Sequence, residues 1–192
     1  DLHKAIRRQR QMCIRDRWLN MKKIYKLLAV LLAIVTFSSC ETYGDYDVEY
    51  SPIYPLSGEW IVNIYDANGQ LLPDAEGYTC NTYNTADNVA DKMWVKMSTA
   101  STTWGILGKV NCNVQWLDFS GDNVPNLVDS ADGTTSETTF TISGGKVTLD
   151  GYDTKTGYKA DAIEFTLTSS KYPGQTMVVK GFRKTGWAGE DY

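Results

Sequence analysis

From Trp60 onward the chain alternates apolar and polar residues with a period of two, the signature of half-buried β-strands. Trp60, Val62 and Ile64 alternate with Ile61, Asn63 and Tyr65, and an Asp66-Ala-Asn-Gly69 turn follows. Residues 77–84 are rich in Tyr and Thr, and Met93, Val95 and Met97 alternate with Lys92, Trp94 and Lys96. The clearest alternation puts Val110, Cys112, Val114 and Trp116 on one face and Lys109, Asn111, Asn113 and Gln115 on the other. Thr138, Phe140 and Ile142 lead through Ser143-Gly-Gly145, which reads as a hairpin turn, into Val147 and Leu149. Ile163, Phe165 and Leu167 follow, and after Tyr172-Pro-Gly174 comes a last strand over residues 176–184. Roughly eight antiparallel strands joined by short turns predict an all-β, up-and-down barrel, because closure leaves no exposed edge. A β-sandwich is the alternative, since periodicity does not report closure.

The first 55 residues lack this pattern. Residues 1–20 carry six Lys/Arg against two Asp, and Met12-Cys-Ile-Arg-Asp-Arg17 is similar to the translation of a sequencing adapter, so this leader is expected to stand outside the fold. Residues 21–39 read as a secretory signal: Lys22, Lys23 and Lys26, then the apolar run Leu27 to Phe37, too short to span a bilayer as a helix. The closing Phe37-Ser-Ser-Cys40 is similar to a bacterial lipobox, with Phe where Leu is usual. Cys40 is therefore the expected lipid attachment point and membrane anchor of an envelope lipoprotein, at the outer membrane on the periplasmic or exposed side. Residues 40–55, with four acids, four Tyr and two Pro, read as an acidic tether, and residues 56–192 as the barrel domain.

Removing the leader changes the charge. The 192-residue chain has a net charge of −4, but residues 40–192 carry 10 Lys/Arg against 21 Asp/Glu, about −11. So acidic a domain does not suit a phosphate backbone, and no nucleic-acid partner is expected. The only His is His3, inside the leader, which excludes Ser-His-Asp and Cys-His catalysis and the commonest zinc ligand from the domain. Cys80 and Cys112 could pair in an oxidising envelope, or serve as small buried thiols.

Leu56-Ser-Gly-Glu-Trp60, Gly77-Tyr-Thr-Cys-Asn-Thr-Tyr83, Asp91-Lys-Met-Trp94, Lys159-Ala-Asp-Ala-Ile-Glu-Phe165 and Gly181-Phe-Arg-Lys-Thr-Gly186 together resemble the "lipid-binding putative hydrolase" family of Bacteroidota lipoproteins, over essentially the whole domain. The resemblance implies a calycin-like barrel with an interior cavity. The lipocalin-like branch of that architecture also has a Gly-x-Trp on the first strand and an Arg late in the last strand lying across the Trp ring. Gly58, Trp60 and Arg183 occupy those places, implying a structural closure of one barrel end.

Three functions follow as expectations. The first is binding of a lipid or other hydrophobic small molecule inside the barrel, with Val110, Val114, Trp116, Phe140, Phe165 and Leu167 as the candidate walls. The second is an interaction lipoprotein, accessory to glycan or nutrient uptake, acting through its outer loops. The third is a His-independent hydrolase, for which Asp118 with Asp122, or Asp161 with Glu164, are formal carboxylate pairs. No spacing singles out a catalytic residue, and the enzyme reading is the weakest. Asp118, Asp122, Asp129 and Asp132 read as part of a solvated loop rich in Gly and Asn, whose spacing does not match a calcium loop, so no metal or cofactor is expected. Trp94 and Trp104, off the main apolar faces, suit external contacts.

Overall fold

The computed structural model describes residues 21–32, 48–97, 103–130, 136–187 and 189. Contacts divide the chain into two units, Asp1–Val48 and Glu49–Tyr192. In the first, residues 21–32 form a helix with exposed side chains, and no helix among the described residues is long and apolar enough to cross a membrane. Cys40 lies outside the described residues.

In the second unit eight strands close into a barrel: β1 (Gly58–Asp66), β2 (Tyr78–Asn84), β3 (Lys92–Met97), β4 (Ile106–Asn113), β5 (Asp118–Pro125), β6 (Thr139–Asp153), β7 (Lys159–Ser169) and β8 (Thr176–Arg183). Each strand pairs antiparallel with the next, and β8 returns to β1 in a register running from Trp60 opposite Arg183 to Asp66 opposite Met177. The alternation dictates which residues fill the barrel. Trp60, Val62, Ile64, Met93, Val95, Met97, Phe140, Ile142, Ile163, Phe165, Leu167, Met177 and Val179 all point inward and are buried.

The expected strand count is met by a different set of strands. Ser143-Gly-Gly145 does not turn the chain. Gly144 adopts a φ of +61°, the pairing with β7 slips between Ser143 and Lys146, and β6 continues as one 15-residue strand with a bulge. The eighth strand is β5, where a loop was expected. Its inward positions include Gly121, which has no side chain to reveal the period, although a Cβ there would come within 2.9 Å of both Val110 and Val124. A second correction concerns Val114 and Trp116. The Asn113 side chain accepts the backbone N–H groups of Gln115 and Trp116 at 3.0 and 3.2 Å, ending β4 in a turn. Val114 is therefore half-buried in that turn, and Trp116 stands 67% exposed. Leu149 is likewise exposed on β6 rather than part of the core.

The barrel also begins earlier than the charge pattern indicates. Ile53 and Leu56 are fully buried, and a short 3-10 turn at Tyr54–Leu56 draws the end of the acidic stretch into the barrel's base.

Candidate functional site

The base of the barrel is built around Trp60. Its ring is fully buried, and its indole Nε1–H donates to Thr82 Oγ1 at 2.8 Å, while that hydroxyl donates to the Leu56 carbonyl at 2.6 Å. The Arg183 guanidinium carbon lies 4.4 Å from the Trp60 ring centroid. Arg183 also donates to the carbonyls of Ser57 and Pro55, the latter at 3.0 Å, and its Nε–H to Asp161 Oδ2 at 2.9 Å. One side chain thus joins β8, β7 and the segment entering β1. Gly58 is required by proximity, because a Cβ there would run into the Arg183 guanidinium.

Of the six candidate wall residues, the structure brings four together: Val110, Phe140, Phe165 and Leu167 lie inside the barrel, each no more than 2% exposed. Among the described residues they pack closely on other side chains. Phe165 packs edge-on against Phe119 with centroids 5.6 Å apart, and a Cβ at Gly108 would come within 2.5 Å of Val124 and 2.7 Å of Phe140. Where even a methyl group does not fit, an acyl chain needs the core to repack. At the end away from Trp60, the described residues include an aromatic pair. Trp104 is buried against Tyr172 with centroids 4.9 Å apart, its Nε1–H donating to the Pro73 carbonyl at 3.3 Å, and the Tyr172 hydroxyl donates to the Thr103 carbonyl at 2.8 Å.

Cys80 and Cys112 are both free. Cys80 faces the interior, where burial pushes its thiol up to about 12, and Cys112 rises to about 11, through burial first and then the charges of Asp91 and Asp118. Neither is activated as a nucleophile near neutral pH. Three of the four candidate carboxylates are engaged by neighbouring side chains. Asp161 is tied to Arg183, Glu164 pairs with Lys180 at 3.0 Å, and Asp122 accepts the Thr141 hydroxyl at 3.1 Å. No group of three or more potential metal ligands gathers among the described residues.

One sizeable concavity lies on the outside of the barrel. A groove of about 520 Å³ crosses β6, β7, β8 and β1, within the size range of small-molecule sites. Register explains its chemistry. One row across the four strands is Lys146, Glu164, Lys180 and Asn63, and the next is Thr148, Ala162, Phe182 and Ile61. Ala162 leaves a depression in the second row. The slip in pairing between Thr148 and Tyr152 sets Tyr152 parallel to Phe182, with centroids 4.3 Å apart and 7° between the ring planes. A charged row therefore borders an apolar, aromatic one. The sequence signal for this site is the apolar Ile61 and Phe182 on outward positions, where a wet face calls for polar residues.

A further aromatic pair, Tyr83 and Trp94, stacks on the outer face of β2 and β3 with centroids 6.5 Å apart, and Lys109 lies 5.5 Å from the Trp94 ring.

No curated protein matches the chain in sequence. Among solved structures, a redesigned β-barrel is similar at 19% identity and a TM-score of 0.39, covering 72% of this chain and 99% of its own. A family model described as "lipid-binding putative hydrolase" matches residues 45–188, which include every strand of the barrel and every residue of the groove. The chain belongs to this lipid-binding family.

Proposed function

We propose that this protein is an envelope lipoprotein, anchored through an acylated Cys40, whose barrel takes a lipid or other hydrophobic small molecule in the outer groove between β6 and β1. The observation that carries the placement is the contrast between the two surfaces. Inside, Gly108 and Gly121 have no room for a methyl group beside Val110, Val124 and Phe140, whereas the groove offers about 520 Å³ beside Ile61, Ala162, Phe182 and Tyr152. Burial of an acyl chain there contributes about 0.8 kcal/mol per CH₂ removed from water, so a chain of modest length suffices for micromolar binding. A packed barrel supplies a rigid wall for it, and the tether keeps that wall close to a membrane source of ligand.

A second reading, an interaction lipoprotein serving glycan or nutrient uptake, is favoured by the outward Tyr83 and Trp94 pair with Lys109 beside it, since such a face can stack on a sugar ring. Native mass spectrometry separates the two. The full-length chain carrying Cys40→Ala, which prevents acylation, is expected to retain or take up a lipid mass from a bacterial lipid extract. A clean protein mass after that exposure contradicts the first reading and leaves the second.

A further inference from the structure

Resting on the reading of an acylated Cys40, we propose that the base of the barrel docks on the bilayer itself through a rim of exposed aromatic side chains. In an up-and-down barrel alternate connections lie at the same end. The segment entering β1, the β2–β3, β4–β5 and β6–β7 connections and the chain leaving β8 therefore all belong to the base. Among the described residues these stretches expose Tyr50, Tyr54, Trp116, Tyr158 and Trp187, from 51% at Tyr54 to 71% at Trp187. The connections at the opposite end expose one large apolar side chain among the described residues, Leu71.

Three of these aromatic residues stand on fixed turns. The Asn113 side chain accepts the backbone N–H groups of Gln115 and Trp116, and Leu117 follows at a φ of +55°, a conformation leucine rarely adopts. The Thr154 hydroxyl accepts the Tyr158 N–H at 3.0 Å, and the Thr154 N–H donates to the Tyr158 carbonyl at 2.9 Å, closing the β6–β7 hairpin. The 3-10 turn carries Tyr54, whose ring centroid lies 4.0 Å from that of Tyr50. Exposed Trp and Tyr suit a bilayer interface, where the ring enters the headgroup layer while the N–H or O–H stays hydrated.

The reach of the chain names the bilayer as the occupant. Tyr50 follows Cys40 by ten residues, and such a stretch spans about 35 Å at most. An acylated Cys40 keeps the base within that distance of the membrane, and the aromatic rim determines which face of the barrel turns toward it. Charge contributes little, because the base connections hold Asp87 and Asp91 against Lys155, and Lys184 is paired with Glu59 at 2.9 Å. Docking in this sense also serves the groove. Phe182 and Tyr152 each stand one residue from the end of their strands at the base, so the apolar row of the groove is the one brought to the lipid surface.

The test uses the acylated full-length chain, produced in a bacterial host and reconstituted into phosphatidylcholine vesicles with and without bromine near the top of one acyl chain. Residues 40–192 hold five tryptophans, of which Trp60 and Trp104 are buried. Bromine is expected to quench about a third of the emission, from rings seated at headgroup level. The quenching is expected to persist at about 1 M salt, where charge attraction is screened. A variant carrying Trp116→Phe and Trp187→Phe keeps the rings but removes these reporters, and is expected to lose most of the quenching at an unchanged urea midpoint. Vesicles that hold the chain while bromine leaves its emission unchanged overturn the docking and leave the aromatic end to a second copy or a partner protein. Quenching that survives in the double variant, or vanishes in high salt, also overturns it. A chain that does not join the vesicles at all removes the acylated anchor, and this inference falls with it.

Discussion

Replacing Arg183 by Ala is expected to lower the stability of the barrel by about 2 to 4 kcal/mol, measured as a fall in the urea midpoint at unchanged slope. The guanidinium covers the face of Trp60, donates to the carbonyls of Pro55 and Ser57, and holds Asp161. Its removal leaves a half-buried carboxylate without its cation and two carbonyls without donors. A cation over an aromatic face contributes about 0.5 to 2 kcal/mol, and hydrogen bonds to a charged group about 1.5 to 3 each in buried settings. Arg183 and Asp161 keep 28% and 21% of their side chains exposed, so water replaces much of what is lost and the expectation lies well below the sum of those figures. Arg183→Lys keeps the charge but loses the planar fork that reaches three strand segments at once, and is expected to recover less than half of the deficit. A loss below 0.5 kcal/mol for the Ala variant, on the order of an ordinary surface substitution, would contradict a fastening role.

Phe165→Ala is expected to cost about 3 to 5 kcal/mol, the usual range for emptying a buried phenylalanine site. Phe165 is 1% exposed, packed on Phe119 and opposite Val179 on the neighbouring strand. On the β8 side β7 is held by continuous pairing around this position, whereas on the β6 side the register slips opposite it, between Ser143 and Lys146. The void is apolar and remains dry. Because the ligand is placed outside the barrel, the variant's affinity for dodecanoate is expected to stay within twofold of the parent at temperatures where it is folded. A large drop in affinity with an intact circular dichroism spectrum would move the site into the interior.

The base of the barrel was legible because its parts are large, rare residues on fixed strand positions. Trp60 and Arg183 occupy the ends of strands that close on one another, with Gly58 two residues before Trp60. The interior was legible for a related reason: inward positions on β1, β3, β7 and β8 are occupied by residues whose apolar character repeats every second place. Where the inward residue is glycine, as at Gly121 and Gly145, the period vanishes. β5 was missed there, and the bulge in β6 passed for a turn. At Gly145 the cause is close approach, since a Cβ would sit 2.5 Å from the Phe119 carbonyl oxygen.

The groove was not legible for a different reason. Its residues come from four strands, and their juxtaposition depends on register, which two bulges in β6 shift by amounts that no local pattern states. Lys146 and Tyr152 reach their places only through those shifts. What the chain does display is the anomaly of Ile61 and Phe182, apolar on a face where polar residues are expected, and opposite each other once β8 returns to β1.

The most direct test of lipid binding in the outer groove is a methyl-labelled NMR titration of the full-length Cys40→Ala chain with dodecanoate. The Ile61 and Ala162 methyl signals, which line the groove, are expected to shift progressively and saturate, while the interior methyls of Val110, Leu167 and Val179 stay in place. Saturating shifts at Val110, Leu167 and Val179 with Ile61 and Ala162 unmoved would contradict the groove and place the ligand inside the barrel.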